Sequence, residues 1–460
     1  MAYRFFEVVY MYTVAKANSY ILNNKDKVNP RYRLKYHFMP PIGWMNDPNG
    51  LVKYKNEYHI FYQFYPYDSV WGPMHWGHAK SIDLIHFNDL DVALAPDLSD
   101  ETGCFSGGAI IDNDKINLVY TKHFEKDNIK TEEDYLARSI DNVHFEKIGK
   151  IFDNERLPKG YSRIDFRDPA PYKINDKYYI FMGAKNEETN QGLIVVLESD
   201  TLNDFKYSFT IGPLYELGDM GECPSYKRID NVDVLVASGC HVEELNNSYK
   251  NDNSSVFILG HIDFENKKMD ILNIHECDKG DSFYAPQFIQ NEEVPTIIGW
   301  LEMWGKEIPT QKNGDAWAGA FSIPRILKVE NNWVYQKPID LSKYYEKVDG
   351  NKVSKVSHID CYCKGEFMIK FKAINGFMII EGNEKSISLD TLNTNNRYPR
   401  KRYTNHGYSE VKLEILLDTS SIELFVNDGE FVISSRIYLD SDYEIEVKGN
   451  VVLDVNNIKI

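Results

Sequence analysis

The chain lacks three features that would place it in common functional classes. Its six cysteines stand apart, at positions 104, 223, 240, 277, 361 and 363, without the paired spacing of a zinc site. No stretch reaches the ~18 apolar residues that a membrane-spanning helix needs. Basic residues are in deficit, since 52 Lys and Arg stand against 69 Asp and Glu for a net charge of −17. This balance excludes a broad nucleic-acid or anionic-membrane footprint, although a small anionic substrate could still meet a local basic pair.

Residues 1–29 form an N-terminal segment that precedes the first repeat. Arg4 and the apolar run after it superficially resemble a signal peptide, but Glu7 interrupts the run and Lys16 falls within the supposed cleavage site. Four apolar or aromatic residues instead follow helical spacing: Val14, Ala17, Tyr20 and Ile21. The sequence therefore predicts a short amphipathic helix here and a cytoplasmic protein.

Five similar units follow, each with two apolar strands around a polar turn. Their equivalent positions are spaced by roughly 55 to 62 residues and are marked by Pro48, Gly107, Pro169, Pro224 and Pro286. A repeat of β-hairpins at this period is typical of a β-propeller. We predict an all-β fold whose first domain is a five-bladed propeller at residues 30–325, with the first strand of each unit innermost.

A linker at residues 326–344 is expected to lead into a second domain. Short alternating strands resume from residue 345, and Asn427-Asp428-Gly429 is a strong hairpin signal. These features predict a C-terminal β-sandwich at residues 345–460. Cys361 and Cys363 are expected on one face of a strand as free thiols, and the basic cluster at 397–402 as a solvated loop.

Three carboxylates keep register with the repeat. Asp47, Asp168 and Glu222 occupy near-equivalent positions in units one, three and four, each at or near a proline ahead of an apolar strand. An isolated Asn-Asp-Pro indicates only an Asx turn. Scattered surface acids would not hold such a register, so we expect the three carboxylates to converge on one mouth of the central channel.

Paired carboxylates across a glycosidic bond form the apparatus of retaining glycosidases. One attacks the anomeric carbon, while the other protonates the leaving oxygen and later activates water. The less polar neighbours of Glu222 could raise its pKa, as an acid requires. Asn46 and Arg167 adjoin the other two carboxylates, and Gln63, Trp71, Ser106 and Trp300 could supply amide, hydroxyl and stacking contacts to a sugar.

Eight stretches carry a family resemblance, and they follow one order along most of the chain: 44–50, 61–66, 76–84, 105–107, 166–169, 222–224, 283–287 and 421–429. In these the sequence resembles the β-fructosidases of the invertase family, glycoside hydrolase family 32, and most of all the bacterial sucrose and sucrose-6-phosphate hydrolases. The resemblance implies that Asp47 is the nucleophile, Glu222 the acid/base and Asp168 the transition-state stabiliser. It implies a fructosyl subsite lined by Asn46, Gln63, Trp71, Ser106 and Arg167, and Phe105 and Trp300 are further candidates for substrate binding.

The expected activity is release of terminal β-D-fructofuranosyl residues from sucrose or sucrose 6-phosphate through a covalent fructosyl-enzyme. Exo-acting hydrolysis of fructans, fructosyl transfer to a sugar acceptor and non-catalytic sugar binding stay open. Four basic residues in loops between the motifs are candidates for binding the phosphate of such a substrate: Lys306, Lys312, Lys185 and Arg163. Each of them is also explained as an ordinary solvent-exposed surface residue. No metal, cofactor, nucleic-acid or membrane partner is expected, and the sequence does not indicate an oligomeric state.

Overall fold

The computed structural model describes residues 12–127, 129–246, 248–348, 350, 352–394 and 400–460. It begins with a helix, Val14–Asn24, which continues into a 3₁₀ turn, Lys25–Lys27. The Thr13 hydroxyl accepts the backbone N–H of Lys16 and caps the first turn. Ala17 is fully buried against blade one, with Val14 and Ile21 packed beside it. The helix is confirmed over this range, whereas Arg4 and Glu7 of the leader-like segment lie outside the described residues.

The first domain is a propeller of five four-stranded antiparallel blades, as the repeat predicts. In every blade the chain runs from the innermost strand outward, because short polar turns favour sequential hairpins. From the inside outward the first two blades are Gly43–Tyr54, Glu57–Tyr65, His75–Ser81 and Phe87–Asp89, then Gly103–Asp112, Lys115–Lys126, Ile129–Ser139 and Phe145–Lys150. Blades three and four are Tyr161–Ile174, Lys177–Asn186, Gln191–Ser199 and Lys206–Ile211, then Met220–Ile229, Val232–Cys240, Ser254–Asp263 and Lys268–Glu276.

Blade five closes the ring and extends further than the sequence predicts. It contains Tyr284–Phe288, Thr296–Trp300, Arg325–Glu330 and Trp333–Pro338. Its outer two strands therefore lie in the expected linker, and the propeller does not end at residue 325. The long connection inside this blade sends a short strand, Trp317–Ala318, back to pair in parallel with Gly43 and Trp44 of blade one. This pairing covers an otherwise open inner edge.

Short helical segments interrupt the connections: Asn154–Arg156, Tyr215–Leu217 and Ser342–Tyr344 are 3₁₀ turns, and Pro309–Lys312 is one α-helical turn. Within the described ranges, no helix is long and apolar enough to cross a membrane.

The second domain is a ten-stranded sheet folded into a sandwich. Its strands are Tyr345–Lys347, Lys352–Val353, Ser357–Ala373, Gly376–Gly382, Ser386–Asn393, Lys401–Asn405, Glu410–Asp418, Ser421–Val426, Phe431–Arg436 and Tyr443–Ile458. Inward and outward residues alternate along Ser357–Ala373, which places Cys361 and Cys363 together in the core as free thiols. The basic cluster is not a solvated loop throughout, because Arg402 is buried and donates to the Lys250 carbonyl at 3.2 Å; Arg397 lies outside the described residues.

Buried charges join the two domains. Arg325 of blade five is fully buried and donates to Glu423 of the sandwich at 2.6 Å and lies 2.9 Å from Asp278. His37 bridges Asp418 at 2.8 Å and Glu423 at 2.9 Å. Because an unpaired buried charge is costly, this network constrains how the domains pack.

Candidate active site

The innermost strand of every blade has a register irregularity where the site begins. The ladder shifts between Met45 and Pro48, between Phe105 and Gly107, and at the corresponding places in the other three blades. Proline has no N–H for the ladder, and it is tolerated in a strand at such bulges. A bulge also re-aims the neighbouring side chains. In blades one, three and four, the proline at or near the acid therefore marks the point at which the strand turns its side chains to the channel mouth.

Asp47 lies in the bulge of blade one and is 8% exposed. Its Oδ2 accepts a hydrogen bond from the Ser106 hydroxyl at 2.7 Å, and the Cys223 thiol lies 3.6 Å from the same oxygen. Its buried Oδ1 accepts no hydrogen bond of normal geometry from any described residue. Burial raises the pKa of this carboxyl to about 6, against the lowering effect of the Ser106 hydrogen bond.

Glu222 in blade four is held by two donors from neighbouring blades. Arg167 donates to its Oε1 from Nη2 at 2.6 Å and from Nε at 3.1 Å. The Tyr284 hydroxyl donates to Oε2 at 2.6 Å. Burial acts to raise the pKa of Glu222, but the charge of Arg167 and these hydrogen bonds outweigh it and lower the pKa below its usual value. The expectation of a raised pKa is therefore wrong for the free protein, because the motif does not reveal the facing Arg167.

Asp168 completes the group from blade three. It adopts a left-handed backbone conformation, with φ of 65°, and its N–H donates to the Thr121 hydroxyl of blade two at 2.9 Å. Its Oδ2 accepts the Cys223 N–H at 2.9 Å and lies 3.4 Å from the thiol. Burial, followed by the charge of Glu222, raises the pKa of Asp168 to about 7. Cys223 therefore contacts both Asp47 and Asp168.

The three carboxylates open into one cavity of about 350 Å³ at the channel mouth. Aromatic residues form part of its wall. Trp71 is 50% exposed and meets Phe105 edge to face at 6.0 Å, and Phe105 stacks on His123 at 3.9 Å. Trp304 also lines the cavity and stacks on Trp44. Aromatic faces beside buried hydrogen-bonding groups suit a sugar ring.

The structure brings nearly all the expected residues to this cavity. Its lining includes Asn46, Asp47, Gln63, Trp71, Phe105, Ser106, Arg167, Asp168 and Glu222. Trp300 is the exception: it is fully buried, does not line the cavity, and packs behind Trp304 and Trp44. Trp304, which no motif marks, lines the cavity where Trp300 was expected. The two lie four residues apart, and sequence alone does not indicate which ring the loop turns outward.

Four further lining residues come from one hairpin of blade two, formed by Lys115–Lys126 and Ile129–Ser139: His123, Glu125, Lys130 and Glu132. No sequence motif marks them, because they lie on the middle strands of the blade. Lys130 lies 3.2 Å from Glu132, which is also 3.3 Å from Arg167. Among the described residues, no group of His, Cys, Asp or Glu is arranged to hold a metal ion.

Comparison with known proteins identifies the family. The model for the N-terminal domain of glycosyl hydrolases family 32 matches residues 37–338, and the model for the C-terminal part of that family matches 366–460. A sucrose-6-phosphate hydrolase of Zymomonas mobilis is 34% identical over 453 residues, covering 88% of this chain and 87% of that protein. A raffinose invertase of Escherichia coli is 31% identical over 442 residues, covering 88% and 90%.

A solved structure agrees with this assignment. A GH32 β-fructofuranosidase of Bombyx mori superposes with a TM-score of 0.85 and 30% identity, covering 97% of this chain and 98% of that one. Its coverage includes both domains described above. The chain belongs to glycosyl hydrolase family 32 and is a glycoside hydrolase of the β-fructofuranosidase type.

Proposed function

We propose that this protein releases terminal β-D-fructofuranosyl residues from sucrose-type sugars by double displacement. Asp47 attacks the anomeric carbon, and the bond from that carbon to the leaving oxygen breaks as Glu222 gives the oxygen a proton. Water then attacks the fructosyl-enzyme, gives its proton to Glu222 and frees Asp47. The convergence of Asp47 and Glu222 on one cavity is the observation that carries the assignment, because the Ser106 hydroxyl holds the first carboxylate at 2.7 Å and Arg167 holds the second at 2.6 Å.

Asp168 and its neighbours are assigned to binding and to the transition state. Its carboxylate would hold fructose hydroxyls and stabilise positive charge on the ring carbon and oxygen. Asn46, Gln63 and Ser106 are buried polar groups on the same wall. Trp71 and Phe105 supply aromatic surface at the mouth, and Arg167 positions Glu222.

The proton distribution must change when substrate binds. In the free protein the raised pKa values belong to Asp47 and Asp168, whereas the pKa of Glu222 is lowered. The reactive form needs the reverse, with Asp47 ionised and Glu222 protonated. Because the three groups titrate together, a small change in contacts moves a shared proton. Sugar hydroxyls that donate to Asp47 and Asp168 would favour these two as anions and leave the proton on Glu222.

The first test replaces Asp47 by Asn, which keeps the shape but removes the nucleophile. We expect loss of fructose release by at least about 10³-fold with sucrose binding retained, measured by product assay and calorimetry. Asp26→Asn, at an exposed acid of the N-terminal 3₁₀ turn, is the matched control and should keep the parent rate. Fructose release by Asp47→Asn at the parent rate would refute the assignment.

The second test concerns Glu222 and the stereochemistry. Glu222→Ala should slow turnover by orders of magnitude. Added azide should restore part of the lost rate and give fructosyl azide as the product. The control Glu384→Gln, at an exposed acid, should keep the parent rate. NMR of the first product should show β-fructofuranose. Release of the α-anomer, or lack of a mass-detectable fructosyl-enzyme in azide-free Glu222→Ala with an activated substrate, would contradict double displacement. Fructan hydrolysis and fructosyl transfer use the same residues and stay alternatives, and the cytoplasmic location stays a prediction.

A further inference from the structure

The cavity that holds the catalytic carboxylates, and whose rim the leaving sugar must face, is rich in negative charge. Five carboxylates line it: Asp47, Glu125, Glu132, Asp168 and Glu222. Among the described residues, the permanent cations of the lining are Lys130 and Arg167. Negative charges therefore outnumber positive ones even when one carboxyl of the catalytic group holds a proton. A low-dielectric cleft of one sign focuses its field on any charged ligand.

Both cations of the lining are already paired with carboxylates. Lys130 lies 3.2 Å from Glu132 and 3.5 Å from Asp165. Arg167 binds Glu222 at 2.6 Å and lies 3.3 Å from Glu132. A phosphate that recruited either cation would weaken the pairing of a carboxylate whose side chain is at most 16% exposed, Glu132 or Glu222. Such an exchange is unfavourable, because the displaced carboxylate loses charge pairing and faces a new dianion.

The basic residues that the sequence offered for a phosphate are engaged elsewhere, and none lines the cavity. Lys306 is buried and donates to the Asp281 carbonyl and, at 3.3 Å, to the Ser282 hydroxyl. Arg163 donates to the carbonyl of Leu157 at 2.8 Å. Two more pair with acids outside the lining: Lys185 with Asp219 and Lys312 with Glu307.

We infer that this enzyme takes its leaving sugar uncharged, cleaving sucrose and other neutral β-fructofuranosides in preference to sucrose 6-phosphate. The inference rests on the proposed function and adds its substrate class. Glu125 is the residue we assign to discrimination at the rim. Its side chain is 65% exposed on the blade-two hairpin, and its carboxylate lies 3.6 Å from His123. Because it lies at the rim, its charge opposes an arriving phosphate without contacting the reacting bond.

The experiment compares kcat/KM for sucrose and sucrose 6-phosphate with the full-length protein at pH 7. We expect about a tenfold preference for sucrose at ~10 mM ionic strength, from an excess of about two negative charges acting on a dianion at roughly 10 Å. At ~200 mM the preference should shrink, because salt raises kcat/KM only for the phosphorylated sugar. Glu125→Gln should lower the preference about threefold at low salt, and Glu125→Lys should lower it further.

Matched controls separate a local effect from a change in overall charge. Glu265→Gln and Glu265→Lys alter an exposed acid in the outer turn of blade four and should leave the preference unchanged. Equal or greater kcat/KM for sucrose 6-phosphate would overturn the inference and leave the proposed function intact, as would a preference that Glu125 variants do not move. Fructose from neither sugar would overturn the proposed function itself.

Discussion

The hydrogen bond from Tyr284 to Glu222 should set the upper pH limit of activity. Tyr284 is 1% exposed, and its hydroxyl donates to Glu222 Oε2 at 2.6 Å. It stabilises the carboxylate and so opposes the protonated form that an acid catalyst needs. A hydrogen bond to a charged group contributes about 1.5 to 3 kcal/mol, and 1.36 kcal/mol corresponds to one pKa unit. Tyr284→Phe should therefore move the alkaline limb of kcat/KM upward by about one to two pH units.

The assay is initial-rate fructose release from sucrose between pH 4 and 9. Tyr172→Phe is the matched control, because the Tyr172 hydroxyl is also buried but bonds Ser225 and the Tyr226 N–H rather than a catalytic carboxylate. Tyr172→Phe should lower the stability of the protein without moving the alkaline limb of the kcat/KM profile. An unmoved alkaline limb in an active, folded Tyr284→Phe would refute the claim that this bond controls the proton of Glu222.

Three further predictions follow from the buried charges. The parent enzyme should be most active between about pH 6 and 7, because the carboxylate group carries one proton between the raised pKa values of Asp47 and Asp168; a flat kcat/KM profile from pH 5 to 8 would contradict this. Asp134 is fully buried and has no hydrogen-bond partner among the described residues, and burial raises its pKa, so its ionisation destabilises the fold as pH rises above about 4. The melting temperature of Asp134→Asn should therefore exceed that of the parent by a margin that grows from pH 4 to 8, and a margin that stays constant would argue against this. Arg325→Met should cost about 3 to 5 kcal/mol in urea unfolding by leaving Glu423 and Asp278 unpaired, whereas exposed Lys328→Met should cost under about 0.5 kcal/mol.

The fold was largely predictable because each blade repeats a local pattern. Alternating apolar strands and polar turns determine a hairpin, and five hairpin units at one period determine a propeller. The ring closure was not predictable, because it depends on a two-residue strand, Trp317–Ala318, pairing with residues 43 and 44 far away in sequence. The end of blade five could not be predicted for a similar reason, since Arg325–Glu330 pairs with Thr296–Trp300 only after a long intervening connection.

The carboxylates of the site could be located from the sequence, because equivalent positions in the repeated inner strands lie at the same level along the propeller axis. Their protonation could not, since it depends on partners from other blades: Arg167 and Tyr284 reach Glu222 across blade boundaries. The contribution of the blade-two hairpin with Glu125 and Lys130 could not be predicted either, because its residues lie on the two middle strands of the blade and carry no motif.

Arg167 connects Glu222, the proposed acid/base, to the blade-two hairpin that carries Glu125, the residue that we assign to discrimination. It contacts Glu222 at 2.6 Å and Glu132 at 3.3 Å, and Glu132 lies 3.2 Å from Lys130. A phosphate that drew Lys130 away would leave Glu132 more dependent on Arg167 and so loosen the hold of Arg167 on Glu222. An incoming anion would thus disturb the catalytic proton as well as meet repulsion at the rim. The discrimination against a charged substrate and the protonation of Glu222 are therefore coupled through the guanidinium of Arg167. A neutral leaving sugar does not disturb the contacts of that guanidinium.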